Sequence, residues 1–260
     1  MNSTRNIVLG AMFALVLGFN ASHAFAITVD GQLNDWGVTP GPYGSSDWTP
    51  NAGVSYFEED QNPGIYYLSP GYGGQDFDAE AIYFTRDNTF AYFAVVSGFP
   101  LDGRYYQGQQ YDAGDFAIDF GSDGIYDFGV ETRGADRGKV YSNPTWINPL
   151  FTSCGPYAMA TGTLVGNSAF FYNNTTYLAN GHYVFEFGIP ISLFGSNWSA
   201  ADYIPDFTAH WTMSCGNDCV NLTVEQVPNS PEPNTFALLA LGLTAAAAFS
   251  FSRKRGIPAF

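Results

Sequence analysis

Residues 115–131 read DFAIDFGSDGIYDFGVE. If Gly121 to Ile125 is the turn of an antiparallel hairpin, Phe120 lies opposite Tyr126, Ile118 opposite Phe128 and Phe116 opposite Val130, all on one face. That face is apolar enough to be core. The same register sets Asp119 opposite Asp127 and Asp115 opposite Glu131 on the other face. A slip of one residue would put Ile118 against Asp127 and mix core with solvent, so the charged pairing is the register predicted.

Outward from this hairpin the chain repeats the pattern. Thr89 to Val96, Lys139 to Tyr141, Tyr183 to Phe187, Phe207 to Met213 and Val220 to Val224 are further aromatic and β-branched runs, separated by Gly, Pro, Asn and Asp. In Phe207 to Met213 the parity is plain: Phe207, Ala209, Trp211 and Met213 share one face, while Thr208, His210 and Thr212 share the other. His210 therefore reads as a hydrogen-bonded strand histidine rather than a catalyst. Amphipathic helical stretches, linkers and internal repeats are not evident. The expected fold is all-β, a single antiparallel β-sandwich of jelly-roll type.

Composition narrows the function. Among 260 residues, 9 Lys+Arg stand against 24 Asp+Glu, for a net charge of −15, which excludes nucleic-acid binding through a basic patch. Only 13% of residues are charged, and 23 Phe with 17 Tyr supply the apolar surface that a disordered acidic chain lacks.

The two ends read as targeting segments. Met1 to Ala26 has one cation, Arg5, an apolar run from Ile7 to Phe19, and Ala24-Phe25-Ala26, the small-x-small pattern after which signal peptidase cuts. Residues 1–26 are thus expected to be a secretory signal peptide, with the mature chain beginning near Ile27. At the other end Phe236 to Phe251 is apolar but for Thr244 and Ser250, and Arg253-Lys254-Arg255 follows. At 1.5 Å per residue, Thr235 to Ser252 spans about 27 Å, enough for a short transmembrane helix with its cations on the cytoplasmic side. Setting aside Arg5 (+1) and the tail charges Glu232, Arg253, Lys254 and Arg255 (+2) takes the balance from −15 to −18 for Ile27 to Ser230.

Just before the apolar run stands Pro231-Glu232-Pro233. The tripeptide, the apolar helix and the basic terminus together resemble the PEP-CTERM sorting signal of Gram-negative bacteria. That resemblance implies recognition and cleavage by an exosortase, a transient stay in the inner membrane, and delivery to the cell surface or extracellular matrix. The commoner form runs Val-Pro-Glu-Pro, whereas here Asn229-Ser230 separate Val227-Pro228 from the tripeptide. Domain limits follow: 27–226 for the exported body and 227–260 for the sorting signal. Within the body, Ile27-Thr28-Val29-Asp30-Gly31 with Asp35-Trp36 resembles the opening strand and turn of family 9 carbohydrate-binding modules and DOMON-like sandwiches, Trp36 plugging the sandwich edge. Asn88 to Val95, Asp115 to Asp119 and Val184 to Pro190 fit the same pattern in order. Gly73 to Ala81 and His210 to Asp218 resemble segments that recur in PEP-CTERM surface proteins. The sugar-clamping residues of the carbohydrate modules match no Trp here.

Like charges facing each other are destabilising, so the acidic face of the hairpin calls for a neutraliser. Arg133, Arg137 and Lys139 follow at once, and a second hairpin through Gly134-Ala135-Asp136 would bring Lys139 beside Glu131. The sharper alternative is Ca²⁺, which takes six to eight oxygens, held by Asp115, Asp119, Asp127 and Glu131. The loop is no EF-hand, since strands flank it and Val130 occupies the twelfth position. A second acidic stripe, Asp76, Asp78 and Glu80, shares one face if extended and is the other candidate Ca²⁺ site; the family 9 resemblance also implies structural calcium.

In an exported chain Cys154, Cys215 and Cys219 favour a disulfide over zinc. Cys215–Cys219 is the expected pair and Cys154–Cys215 the alternative, one thiol remaining unpaired. The aromatic-rich stretch Asp35 to Tyr72 either covers the core or stacks on sugar rings. No Gly-x-Ser-x-Gly, His-Glu-x-x-His or phosphate-binding glycine loop occurs. The expected function is a noncatalytic exported surface or matrix protein. The alternatives are a carbohydrate-binding module of the extracellular polysaccharide and, third, a secreted glycan hydrolase.

Overall fold

The computed structural model describes residues 26–39, 48–59, 73–151, 154–177, 181–198 and 203–228. The signal peptide up to Phe25, the sorting motif Pro231-Glu232-Pro233 and the apolar C-terminal run lie outside them. Among the described residues no helix is long and apolar enough to cross a membrane.

The described residues are mostly β-strand, in antiparallel sheets. One sheet has the order β1 (Ser55–Glu58), β2 (Ala79–Arg86), β3 (Phe90–Ser97), β11 (His182–Pro190), β10 (Ala169–Tyr177). A second, six-stranded sheet runs β14 (Cys219–Val224), β13 (Phe207–Thr212), β6 (Phe116–Phe120), β7 (Phe128–Val130), β8 (Lys139–Ile147), β9 (Ala158–Asn167). Two small pairs complete it, β4 (Arg104–Tyr106) with β5 (Gln109–Tyr111), and β12 (Tyr203–Ile204) with β15 (Val227–Pro228).

The decisive hairpin forms in the register its pattern demands: Phe116 pairs with Val130 and Ile118 with Phe128. Its core face meets the five-stranded sheet directly. The Phe116 ring lies 5.0 Å from Phe93 and 4.7 Å from Phe187, and Phe84 meets Phe207 at 4.9 Å. Phe207, Ala209, Trp211 and Met213 are all fully buried on this side.

The run Phe90 to Val96 is nearly all apolar because β3 is buried on both faces. Ala91, Phe93 and Val95 enter the core between the sheets, while Ala94 and Val96 join a second cluster with Leu33, Trp36, Val38, Trp48 and Val54. The described part of the aromatic-rich stretch is thus a cover, with Trp36 and Trp48 buried under it. The cover is tied down by Glu186. Its Oε2 accepts the backbone N–H groups of Asp30 (3.1 Å), Gly31 and Gln32 (3.2 Å), and its Oε1 accepts the Trp36 indole N–H at 2.5 Å. Gly31 has φ +75, and a Cβ there would press into the Phe171 ring, so the Asp-Gly turn tolerates nothing larger.

Candidate functional site

On the outer face of the hairpin the carboxylates are satisfied by backbone. Asp119 accepts the N–H groups of Asp123 (3.2 Å) and Gly124 (2.8 Å), and Asp127 accepts that of Phe120 (2.8 Å). Burial raises the pKa of both above the ordinary aspartate value, against these bonds. Asp115, fully buried, accepts from Met159 (2.8 Å) and Thr132 (3.3 Å). It also shares a hydrogen bond with Glu131. Burial, with the Asp115 charge next, pushes Glu131 up to about 7, and burial likewise raises Asp115 above the ordinary aspartate value.

Of the cations that follow, Arg133 lowers Asp115 and Glu131 through its charge, but all three form their ion pairs with other carboxylates. The second hairpin forms, with Glu131 N–H donating to the Lys139 carbonyl at 2.9 Å. The Lys139 ammonium nevertheless binds Asp136 at 2.5 Å, Arg133 approaches Asp112 at 3.4 Å and Arg137 reaches Asp102 at 3.2 Å.

The second predicted stripe is corrected. Asp76, Asp78 and Glu80 do not share a face, because Gly73 and Gly74, both at positive φ, open a 3-10 turn over Gly74–Phe77, and an irregularity at Ala79/Ala81 displaces Glu80. Asp76 pairs with Arg104 at 2.8 Å near the surface. Glu80, buried, accepts from Gln75 Nε2 and faces His182 Nε2, each at 2.7 Å.

Asp78 instead joins Glu59 and Asp218, whose ligand oxygens all lie within 4.8 Å of one another. Asp218 belongs to the turn before β14 and closes the seam between the two sheets. Its Oδ2 accepts the Ala79 N–H at 2.7 Å and its Oδ1 the Cys219 N–H at 2.8 Å. Burial, then the Glu59 charge, push Asp218 up to about 7. Of the seven predicted carboxylates only Asp78 is in this group. Glu59 and Asp218 were missed because nothing local pairs them: Glu59 stands in the acidic run Glu58-Glu59-Asp60, and Asp218 is alone in its segment.

The predicted Cys215–Cys219 disulfide is also corrected: the bond joins Cys154 to Cys219, with Cα atoms 6.4 Å apart, and Cys215 is a free buried thiol. Strand parity explains it. Cys215 continues the core-facing series of Trp211 and Met213, whereas Cys219 shares the outward side of β14 with Asn221 and Thr223. The segment after β8 crosses that outer side, donating Leu150 N–H to the Ser214 carbonyl and accepting from His210 through the Pro156 carbonyl, so it brings Cys154 to Cys219. His210 is fully buried, with Nδ1 on Asn221 (2.8 Å) and Nε2 on Pro156 (3.0 Å). Burial lowers its pKa, leaving a neutral structural histidine.

A groove of about 460 Å³ opens beside the β12–β15 pair, lined by Phe120, Ser196, Asn197, Tyr203, Asp206 and Gln226 among others. No tryptophan lines it; Trp36, Trp48, Trp198 and Trp211 are buried in the cores. Comparison with protein-family models, curated proteins and solved structures finds no match to this chain.

Proposed function

We propose that this chain is a noncatalytic, exported surface or extracellular-matrix protein: an antiparallel β-sandwich delivered through a signal peptide cut after Ala26 and released by an exosortase at Pro231-Glu232-Pro233. The observation that carries the reading is the Cys154–Cys219 disulfide, which belongs to an oxidising compartment. It agrees with the three-part C-terminal signal. The last described strand, Val227–Pro228, is held against β12 three residues before that motif. The tripeptide follows in the sequence, and proline favours an extended form that a membrane protease can bind.

Intact-mass spectrometry of exported protein tests this. The expected N-terminus is near Ile27, with the tail lost near Pro231-Glu232-Pro233 in a host with an exosortase. Surface material that keeps Arg253-Lys254-Arg255 in that host refutes the sorting claim. Replacing the tripeptide by alanines should hold the chain at the inner membrane, where signal peptidase still removes residues 1–26.

A structural Ca²⁺ belongs to the same proposal. Glu59, Asp78 and Asp218 offer hard oxygens within one ion's reach, and a divalent cation there would offset the burial and the Glu59 charge that push Asp218 up. The second reading, a carbohydrate-binding module for extracellular polysaccharide, is favoured by the groove, where Tyr203 and Phe120 rings stand beside Asp206, Asn197 and Gln226. Glycan-array binding without turnover selects it; release of reducing sugar selects the hydrolase.

A further inference from the structure

Between Lys139 and Glu186 the chain has no Asp, Glu, Lys or Arg at all, although its net charge is −15. The fold sets the strands β9 and β10 of that stretch at one side of the molecule, β9 as the outermost strand of the six-stranded sheet and β10, directly after it, as the outermost strand of the five-stranded one, while the segment between β8 and β9 crosses to Cys219. The opposite side is managed quite differently. There the edges β1 and β14 are drawn together by the Ala79 to Asp218 hydrogen bond and flanked by Glu58, Glu59, Asp78, Asp218 and Glu225.

The middle of β9 is unusual for a strand in that Ala160, Thr161, Gly162, Thr163 and Leu164 are consecutively exposed, so both faces of the ribbon stand in solvent as well as its edge. Its partner β8 exposes Asn143, Thr145 and Ile147, and the two are stitched by a Thr145–Thr161 hydroxyl bond of 2.7 Å. Apolar side chains remain in water along this side: Leu164 is 51% exposed, Phe171 44% and Ile147 43%. An edge strand presents a row of N–H and C=O groups, and soluble proteins ordinarily blunt such edges with charges or proline. Neither stands anywhere in β9 or β10.

We propose that the outer edge of β9 is a self-association surface whose occupant is the β9 edge of a second copy of this chain, paired antiparallel about a two-fold axis. Charge argues for a second copy over another partner. A basic protein is drawn to the acidic surfaces rather than to a neutral one, whereas two copies of a −15 chain repel everywhere except where the charges are absent. An edge also complements itself, since antiparallel pairing about a two-fold places the same residues on both sides.

Cysteine-scanning cross-linking of the full chain in the envelope of an expressing host tests the proposal. A two-fold axis sets some residue of β9 against its own copy, so Thr161→Cys or Thr163→Cys should give a covalent dimer on mild oxidation. Thr223→Cys, on the opposite edge strand, and the unaltered chain should give none. Absence of dimer at both β9 positions, or equal dimer at Thr223→Cys, overturns the proposal. Adding Thr163→Glu to the Thr161→Cys chain sets like charges across the axis at an exposed position that folding does not depend on. The dimer yield should then fall at least tenfold; an unchanged yield also overturns it.

Discussion

Replacing Asp218 by Asn separates the electrostatic cost of the acidic seam from its hydrogen bonds. Asp218 is 1% exposed, and burial with the Glu59 charge moves its pKa from 3.8 to about 7. The folded state therefore holds a proton that the unfolded chain releases near pH 4. By linkage, this contribution is fully present below about pH 4, declines as pH rises, and is gone above about pH 7. A shift of about 3 units at 1.36 kcal/mol each sets its size at about 4 kcal/mol. Asn keeps the shape and one acceptor, for Ala79 or Cys219, at a cost of about 1 kcal/mol for the other bond. The variant should be less stable than the parent at pH 4 and more stable at pH 8. At 2–4 °C per kcal/mol for a domain of about 200 residues, the difference in Tm between the two proteins should swing by roughly 8–16 °C across that interval. Differential scanning calorimetry in chelator at the two pH values reads it. Ca²⁺ at pH 8 should then raise the Tm of the parent and leave Asp218→Asn unmoved; a hundredfold excess over Kd contributes about 2.7 kcal/mol. If the Tm difference does not change sign with pH, the repulsion assigned to the seam is absent. If Ca²⁺ moves neither protein, the ion is absent too.

The Cys154–Cys219 bond spans 65 residues, so Cys219→Ser should lower unfolding free energy by about 4 kcal/mol, read as a fall in urea midpoint, while Cys215→Ala leaves the response to reductant intact. Glu186→Ala orphans the N–H donors of Asp30, Gly31 and Trp36, Gln32 keeping its bond to Asp30, and should cost about 3 kcal/mol or more, with limited proteolysis cutting first near residue 31. Since burial lowers the pKa of His210 from the ordinary 6.5, its ring resonances in NMR spectra should show a midpoint below that value or none, and a midpoint above it would refute the structural role.

The central hairpin and β13 were legible because each alternates apolar and polar residues around a turn, and a period of two leaves one workable register. The β-rich class follows from the same alternation. By contrast β9 and β10 carried a weaker signal: AMATGTLVGN is exposed through its middle, and in AFFYNNTTY the core-packed Phe170 and Tyr172 are only partly buried and alternate with Phe171, so no polar residue marks the outward face there. The acidic stripe failed for a different reason. Alternation of Asp76, Asp78 and Glu80 presumes an extended chain, and two glycines at positive φ break it just upstream.

For the candidate site, the reasoning from opposed like charges looked for relief in side-chain cations and a bound ion, and left out a third source. Side-chain cations and bound ions can be sought in a sequence, but backbone N–H groups are present at every non-proline residue and mark no position. Asp119 is stabilised by the two N–H groups of its own turn, and Asp127 by that of Phe120. Asp115 accepts from Met159 and Thr132, and burial pushes the neighbouring Glu131 up to about 7. Other carboxylates meet across the seam between sheets, where Glu59, Asp78 and Asp218 come from segments far apart in the chain. Asp218 too accepts two N–H groups, but one of them, from Ala79, lies 139 residues away in the sequence. Sequence proximity thus selects carboxylates served by their own turn, and only the fold shows those that meet across a seam.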